Sequence, residues 1–192
     1  MATRDRPVAS RRRGGPPAAG KSGPTKASKR LTLVRHAKSD WSLPGQQDWD
    51  RALNKRGQRD APEMARRLRA RKLRPDLILT SPAVRALTTA TIMARELKVS
   101  VQQVRQDERL YLAGPREILA VIRELGGDAR HLMVFGHNPG ITECANQVSG
   151  GERIDNMPTC ATFTTRLEID DWARLDWESG QYVEFDYPRN LA

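Results

Sequence analysis

The sequence is poor in cysteine, histidine and aromatic residues, and it has no long apolar run. Its 192 residues include two cysteines and three histidines, and 5% of them are aromatic. No apolar stretch approaches the roughly 18 residues that a membrane-spanning helix needs, so we expect a soluble, cytoplasmic protein. Cys144 and Cys160 lack CxxC spacing, and we expect two reduced thiols.

Metal and nucleotide motifs are also missing. The three histidines are scattered, there is no HExxH pattern, and no glycine-rich loop of the GxxxxGK[ST] form occurs. A phosphate pocket in this chain must therefore rely on guanidinium and imidazole groups in place of a metal. We expect neither a metal nor a cofactor, and the residue types favour a histidine nucleophile.

The net charge of +10 is concentrated in residues 1–30. That segment has nine Lys and Arg and one acid, whereas the rest of the chain has 24 basic and 22 acidic residues and is nearly neutral. Its Pro, Gly, Ala and Ser content predicts a disordered tail. Nucleic-acid binding and an organelle transit peptide are alternative interpretations of the tail. Residues 31–192 are expected to form one domain.

Apolar runs alternate with segments of helical periodicity from residue 31 onward. Strands are predicted at Leu31–Val34, at Asp76–Thr80 and in the run that ends at Gly136, and two more within 161–169 and 180–188. Helices are predicted over 59–72, after Ser81, over 114–127 and near Ile141. This order predicts an α/β fold with a mostly parallel central sheet.

Two helix starts have local signals. Asp60 and Glu63 resemble a capping box, with Pro62 in the first turn or at a kink. Ser81–Pro82 is expected to supply the N-cap and the first residue of the next helix.

Four basic or imidazole side chains follow the predicted strands. Arg35 and His36 end the first, Arg85 comes shortly after the second, and His137 follows the third. Because the carboxyl ends of neighbouring parallel strands meet at one edge of a sheet, we expect these residues to converge there. Together with the helix start at 81–83 they would form an electropositive pocket for a dianion.

Three blocks carry a family resemblance: LTLVRHAKSDW, LTSPAVRALTTA and MVFGHNPG. They resemble the RHG/RHA, SPxxRAxxTA and GHNP blocks of the histidine phosphatase, or phosphoglycerate mutase-like, superfamily. The block RALNKRG and the short chain resemble its SixA-type phosphohistidine phosphatase branch most closely. The resemblance extends over about residues 30–188 and implies a three-layer α/β/α sandwich.

The resemblance also implies roles for the four residues. His36 would be the nucleophile that becomes phosphorylated, Arg35 and Arg85 would clamp the phosphoryl oxygens, and His137 would donate to them as charge builds. The implied substrate is phosphohistidine on a signalling or phosphocarrier protein. Ala37 stands where many members have glycine, and we expect its methyl group to narrow the entrance.

The general acid is the open point. By position the candidate is Glu108, although it and Asp107 also fit ordinary loop charges. If Glu108 is an acid, a small phosphomonoester or phosphoanhydride is the alternative substrate. If it is not, P–N bonds are favoured, because imidazole leaves more easily than an alkoxide. An alternative of another class is a phosphate-pocket binding module whose tail holds nucleic acid.

Further residues have two interpretations each. Asn138 is predicted to brace the turn that Pro139 and Gly140 complete, and it is also a candidate substrate-binding residue. His131 is expected to be structural or exposed, on the edge far from the pocket. Asp40 either approaches the pocket or caps the next turn. The aromatic side chains of the intervening loop either wall the entrance or pack against the body: Trp41 and Trp49.

Overall fold

Six strands form one mixed sheet in the computed structural model, which describes residues 28–151 and 153–190. The spatial order is β3-β2-β4-β1-β5-β6; the first four are mutually parallel, β5 pairs antiparallel with β1, and β6 pairs antiparallel with β5. The strands are β1 Lys29–Arg35, β2 Leu77–Thr80, β3 Val104–Gln106, β4 His131–Gly136, β5 Thr162–Leu167 and β6 Gly180–Asp186. The predicted α/β class with a mostly parallel sheet is confirmed.

Four helices cover the two faces of the sheet. They are α1 Lys55–Ala70, α2 Val84–Glu96, α3 Pro115–Leu125 and α4 Gly140–Val148. Successive residues of a strand face opposite sides: Leu33 packs in the core beneath α3 and α4, whereas Val34 packs beneath α1 and α2. The sheet is therefore the middle of three layers, as the resemblance implied.

The first strand begins earlier than predicted, at Lys29. The backbone N–H of Arg30 donates to the Arg130 carbonyl, and Lys29 Nζ donates to the Ala129 carbonyl and lies 5.3 Å from the Trp172 ring centroid. These tertiary contacts extend the strand into a basic stretch that has no apolar signal. The prediction of a disordered tail otherwise falls on residues 1–27, which lie outside the described residues, and so do the alternatives for that tail.

The predicted start of α1 is wrong. The helix begins at Lys55, and the Asn54 side chain caps it by accepting from the N–H of Gly57. Asp60 and Pro62 therefore lie inside the helix, where no capping box exists. A Cβ at Gly57 would overlap the Lys38 backbone carbonyl, so glycine here lets α1 approach the loop that follows β1.

The predicted start of α2 is also two residues early. The helix begins at Val84, and Ala83 occupies the N-cap position without a side-chain cap. Ser81 Oγ accepts from the Ala83 N–H at 3.3 Å but is also committed to a long-range contact with His137. Strand β3 had no sequence signal, because it has only three residues and none of them is fully buried.

Both cysteines are buried, unpaired thiols on opposite sides of the sheet. Burial raises the pKa of Cys144 to about 12, so that thiol is protonated and unreactive at neutral pH. No helix within the described part of the chain is long and apolar enough to cross a bilayer.

Candidate active site

The four predicted residues converge at the carboxyl end of the parallel strands. Arg35 is the last residue of β1 and pairs with Gly136, so His36 and His137 emerge side by side with ring centroids 5.1 Å apart. Arg85, in the first turn of α2, lies between the two rings. All four line one open cavity of about 280 Å³.

His36 is held in one tautomer. Its Nδ1–H donates to the Ala37 carbonyl at 2.8 Å, which leaves the lone pair on Nε2, 3.3 Å from Arg85 Nε. The side chain is 7% exposed. Burial lowers its pKa to about 4; the Ala37 carbonyl opposes this shift, and the charges of Arg85 and Arg35 add to it. His36 is thus neutral at cellular pH, with Nε2 available as a nucleophile.

The backbone that carries His36 is fixed from two directions. The Ala37 N–H donates to Thr89 Oγ1 of α2 at 3.0 Å, and the Cys160 N–H donates to the carbonyls of Arg35 and His36. The Ala37 methyl group is fully buried in the core beneath α1 and α2. The expectation that it narrows the entrance is therefore wrong, since it points into packed protein and does not line the cavity.

Arg35 retains an unused donor. Its Nη1 donates to the Met157 carbonyl at 2.7 Å, whereas its buried Nε has no hydrogen-bond partner among the described residues. A buried N–H without an acceptor is unfavourable by roughly 1–3 kcal/mol. An anion bound in the adjoining cavity would supply that acceptor.

Arg85 is the centre of the site and is only 1% exposed. A guanidinium group can only donate, so both histidines present lone pairs to it. Nε donates to His36 Nε2, and Nη2 donates to His137 Nδ1, each at 3.3 Å. Arg85 also donates to Asp48, from Nη1 to its backbone carbonyl and from Nη2 to its carboxylate.

His137 is the second neutral histidine. Because Nδ1 accepts from Arg85, the proton lies on Nε2, which donates to Ser81 Oγ at 2.8 Å. Burial, together with the neighbouring His36 and Arg85, lowers the pKa of His137 to about 3. The Tyr111 ring contacts His137 edge-on, with centroids 5.6 Å apart.

The sequence analysis missed Asp48. Its carboxylate accepts from Arg85 Nη2 at 2.7 Å, from Arg51 Nη2 at 2.6 Å and from the Tyr111 hydroxyl at 2.8 Å. Partial burial favours the neutral acid, but hydrogen bonds from Tyr111, Arg51 and Arg85 outweigh it and hold the Asp48 pKa well below its usual range. A polar loop without periodicity contains Asp48, so no local signal marked it.

The loop before α1 completes the rim. Arg51 donates to Ser39 Oγ, and its guanidinium lies 3.5 Å from the Trp41 ring centroid. Trp41 lines the cavity although it is 70% exposed. Trp49 instead packs against Tyr111, and Asp40 caps the local turn by accepting from the Ser42 N–H.

Glu108 does not reach the cavity. It begins a short 3-10 helix, is exposed, and is absent from the cavity lining. Asp107 caps that helix and pairs with Arg109 at 2.8 Å. Tyr111, from the same segment, does reach the site, where it contacts Asp48 and His137; Leu112 lines the cavity.

Asn138 and His131 occupy supporting positions. The Asn138 amide donates to Asn156 Oδ1 and to the Met157 carbonyl, and it accepts from Thr142, so it braces the turn as predicted. His131 lies at the opposite end of β4, buried, with Nε2 2.8 Å from Thr32 Oγ1. It is structural and not exposed.

The described residues contain no group of three or more His, Cys, Asp or Glu side chains that could hold a metal ion. The charged and imidazole side chains that line the cavity are Arg35, Lys38, Arg51, Arg85, Asp48, His36 and His137.

Comparisons with known proteins agree with this geometry. A sequence profile described as histidine phosphatase superfamily (branch 1) matches residues 31–111. An uncharacterized protein of Mycobacterium tuberculosis is 32% identical over 165 residues, which is 81% of this chain and 100% of the relative.

Two solved structures are similar along most of the chain. One is an Agrobacterium tumefaciens protein assigned as a phosphohistidine phosphatase SixA, 27% identical, with a TM-score of 0.70 over 83% of this chain and 98% of that chain. The other is the protein histidine phosphatase SixA complexed with tungstate, with a TM-score of 0.72 at 20% identity, over 85% of this chain and 99% of that chain. At 20% identity, the second similarity supports the fold only.

Proposed function

Because the chain belongs to the histidine phosphatase superfamily, in its SixA-type branch, we propose that it hydrolyses phosphohistidine on a protein by way of a phosphorylated His36. The observation that carries the proposal is the pairing of a neutral His36 with Arg85 in a cavity whose one carboxylate, Asp48, is ionised. Such a site can attack phosphorus, but it offers no carboxylic acid to a poor leaving group.

Binding of the phosphoryl group would use the donors of the two arginines. The unpartnered Nε of Arg35 would gain an acceptor, and Arg85 would exchange some of its contacts with Asp48 for phosphoryl oxygens. The substrate dianion and the Asp48 carboxylate thus compete for one guanidinium. Electrostatic clamping of this kind stabilises the spread charge of the transition state.

In the first step, His36 Nε2 attacks phosphorus in line with the bond that breaks. A bond forms between Nε2 and phosphorus, and the electron pair of the cleaved P–N bond leaves with the substrate imidazole. Where that ring carries a proton on its other nitrogen, it departs as neutral imidazole, with a reference pKa near 6.5. An alkoxide would need a proton from the enzyme, which an ionised Asp48 cannot supply.

In the second step, water attacks the phosphorus of phospho-His36. The P–N bond breaks, its electron pair returns to Nε2, and inorganic phosphate is released with the protons of the water shared between phosphate and solvent. A bound dianion beside His137 would raise the pKa of that ring. His137 could then become a donor to the phosphoryl oxygens, the role that the family resemblance implied.

The test is a side-by-side turnover assay in EDTA on a phosphohistidine protein and an alkyl phosphate ester, with trapping of any phosphoenzyme. We expect rapid loss of phosphohistidine, little ester hydrolysis, and an acid-labile label that is absent from His36→Ala. Comparable turnover of the ester would contradict the preference for P–N bonds. A label that persists in His36→Ala would contradict the intermediate.

A further inference from the structure

A second cleft, larger than the catalytic cavity, lies next to it. Its volume is about 540 Å³, and it is formed by the first turns of α1, the loop 157–159 and the residues that follow β6. Thr159 lines both the cleft and the catalytic cavity. The Thr159 hydroxyl accepts from Arg56 Nη2 at 3.1 Å, and Arg35 binds the carbonyl of Met157 in the same loop. A substrate held in the catalytic cavity can therefore extend into the cleft.

The cleft has an excess of positive charge. It is lined by four arginines and two acids: Arg56, Arg59, Arg66, Arg189, Asp60 and Glu63. Arg59 pairs with Asp60 at 3.0 Å, and Arg66 pairs with Glu63 at 2.9 Å. Arg189 has no acidic partner among the described residues.

Arg56 is also incompletely satisfied. Its ion pair with Asp60 is long, at 3.6 Å, and its buried Nε has no hydrogen-bond partner within the described part of the chain. The lining thus has two more positive than negative side chains, and the buried Nε of Arg56 is a donor without a hydrogen-bond acceptor among the described residues.

The spacing of the arginines favours an extended ligand over a single phosphate group. Three of them lie on α1 at positions 56, 59 and 66, so the row is about 15 Å long at the rise of an α-helix. An extended peptide covers that length with roughly four or five residues. One phosphate dianion could contact only part of the row.

We propose that this cleft binds an acidic, extended segment next to the phosphohistidine of the protein substrate and so selects acidic phosphoproteins. Glutamate or aspartate side chains would take the positions along α1 and at Arg189. The cleft also has an apolar wall, against which the aliphatic parts of those side chains would pack: Pro158, Tyr187 and Pro188. This inference rests on the proposed function, because it assigns a specificity site to that same reaction.

The test compares phosphohistidine peptides whose flanking residues are acidic with matched peptides that carry Asn and Gln instead. One acidic peptide has its acids before the histidine, and a second has them after it. We expect a kcat/KM at least about tenfold higher for one acidic peptide. In Arg59→Glu/Arg189→Glu that advantage should disappear, while turnover of free phosphoramidate stays unchanged, because neither arginine lines the catalytic cavity.

The matched control is Arg95→Glu/Arg105→Glu, which makes the same charge change at two exposed arginines outside the cleft. It should keep the preference for the acidic peptide. Equal kcat/KM for acidic and neutral peptides in the unmodified protein, with phosphoramidate still hydrolysed, would overturn the cleft proposal alone. Failure to hydrolyse any P–N bond would overturn the proposed function and with it the role of the cleft in catalysis.

A binding measurement separates those two failures. The unphosphorylated acidic peptide should bind the full-length protein, with a Kd about tenfold weaker in Arg59→Glu/Arg189→Glu than in the control. Equal affinity in the two variants would show that the cleft does not hold the acidic segment, whatever the activity assay reports.

Discussion

Two buried histidines at opposite ends of the same pair of strands have different surroundings. His36 follows β1 at its carboxyl end, and His131 begins β4 at the other end, where it pairs with Arg30. Burial is the main cause that lowers the pKa of each to about 4. A lowered histidine pKa therefore does not identify the catalytic residue here. What distinguishes His36 is that its Nε2 faces the Arg85 guanidinium at the catalytic cavity, whereas Nε2 of His131 is bound to Thr32 Oγ1 inside the sheet.

Removal of each histidine in turn should give the largest contrast. His36→Ala is expected to reduce phosphohistidine turnover at least about 1,000-fold, the scale for loss of a nucleophile. His131→Gln should leave kcat within about twofold but lower the free energy of unfolding by roughly 1–3 kcal/mol, through its buried contact with Thr32. Turnover and urea denaturation of both variants check this, and an inactive but stable His131→Gln would contradict the contrast.

Acid should destabilise the protein through all three histidines together. Their folded pKa values of about 4, 4 and 3 lie below the ordinary 6.5. Their stabilising contribution is thus complete above pH 6.5 and is lost as the pH falls toward the folded values. Near pH 5, unfolding should take up about three protons from these groups.

The His131→Gln variant isolates one of those protons. It should reduce the slope of unfolding free energy against pH, near pH 5, by about 1.4 kcal/mol per pH unit. Denaturant titrations at pH 7, 6 and 5 measure the slope. An unchanged slope would mean that His131 is already protonated in the folded protein.

Asp48 distinguishes the two ends further, because it pairs with the Arg85 guanidinium, whereas Asp76 at the His131 end accepts from backbone N–H groups. In Asp48→Asn, Arg85 loses a charged partner that orients it but also a competitor for the substrate. We expect kcat to fall about tenfold and KM to fall as well. A purely structural role for Asp48 would not lower KM together with kcat. Steady-state kinetics measure both, and an increase of KM would contradict the competition.

Glu108 should have the smallest effect. Its side chain is exposed and does not line the cavity, so Glu108→Gln is expected to leave phosphohistidine turnover within about twofold. The matching assay uses an alkyl phosphate ester. Selective loss of ester hydrolysis in Glu108→Gln would restore the small-molecule alternative, with Glu108 as its acid.

Convergence of the four site residues was predictable, because the strand–helix order placed each of them after a parallel strand. The carbonyl that fixes the His36 tautomer belongs to the next residue, Ala37. The helix starts were predicted wrongly because residues that resemble N-caps in the sequence make other contacts in the fold. Ser81 resembles an N-cap, but it accepts from His137, 56 residues away.

The sequence by itself determined the order of the helices and of the strands apart from β3, the blocks of the family, and the residue types available for phosphoryl transfer. These features depend on local periodicity and on side-chain chemistry, which can be read from short stretches of the sequence. Only the tertiary structure decided which groups share a hydrogen bond, which tautomers persist, and which arginines face the second cleft. Arg85 is 49 residues from His36 and 37 from Asp48 along the chain, and burial and distance between such residues are set by how the sheet and helices pack.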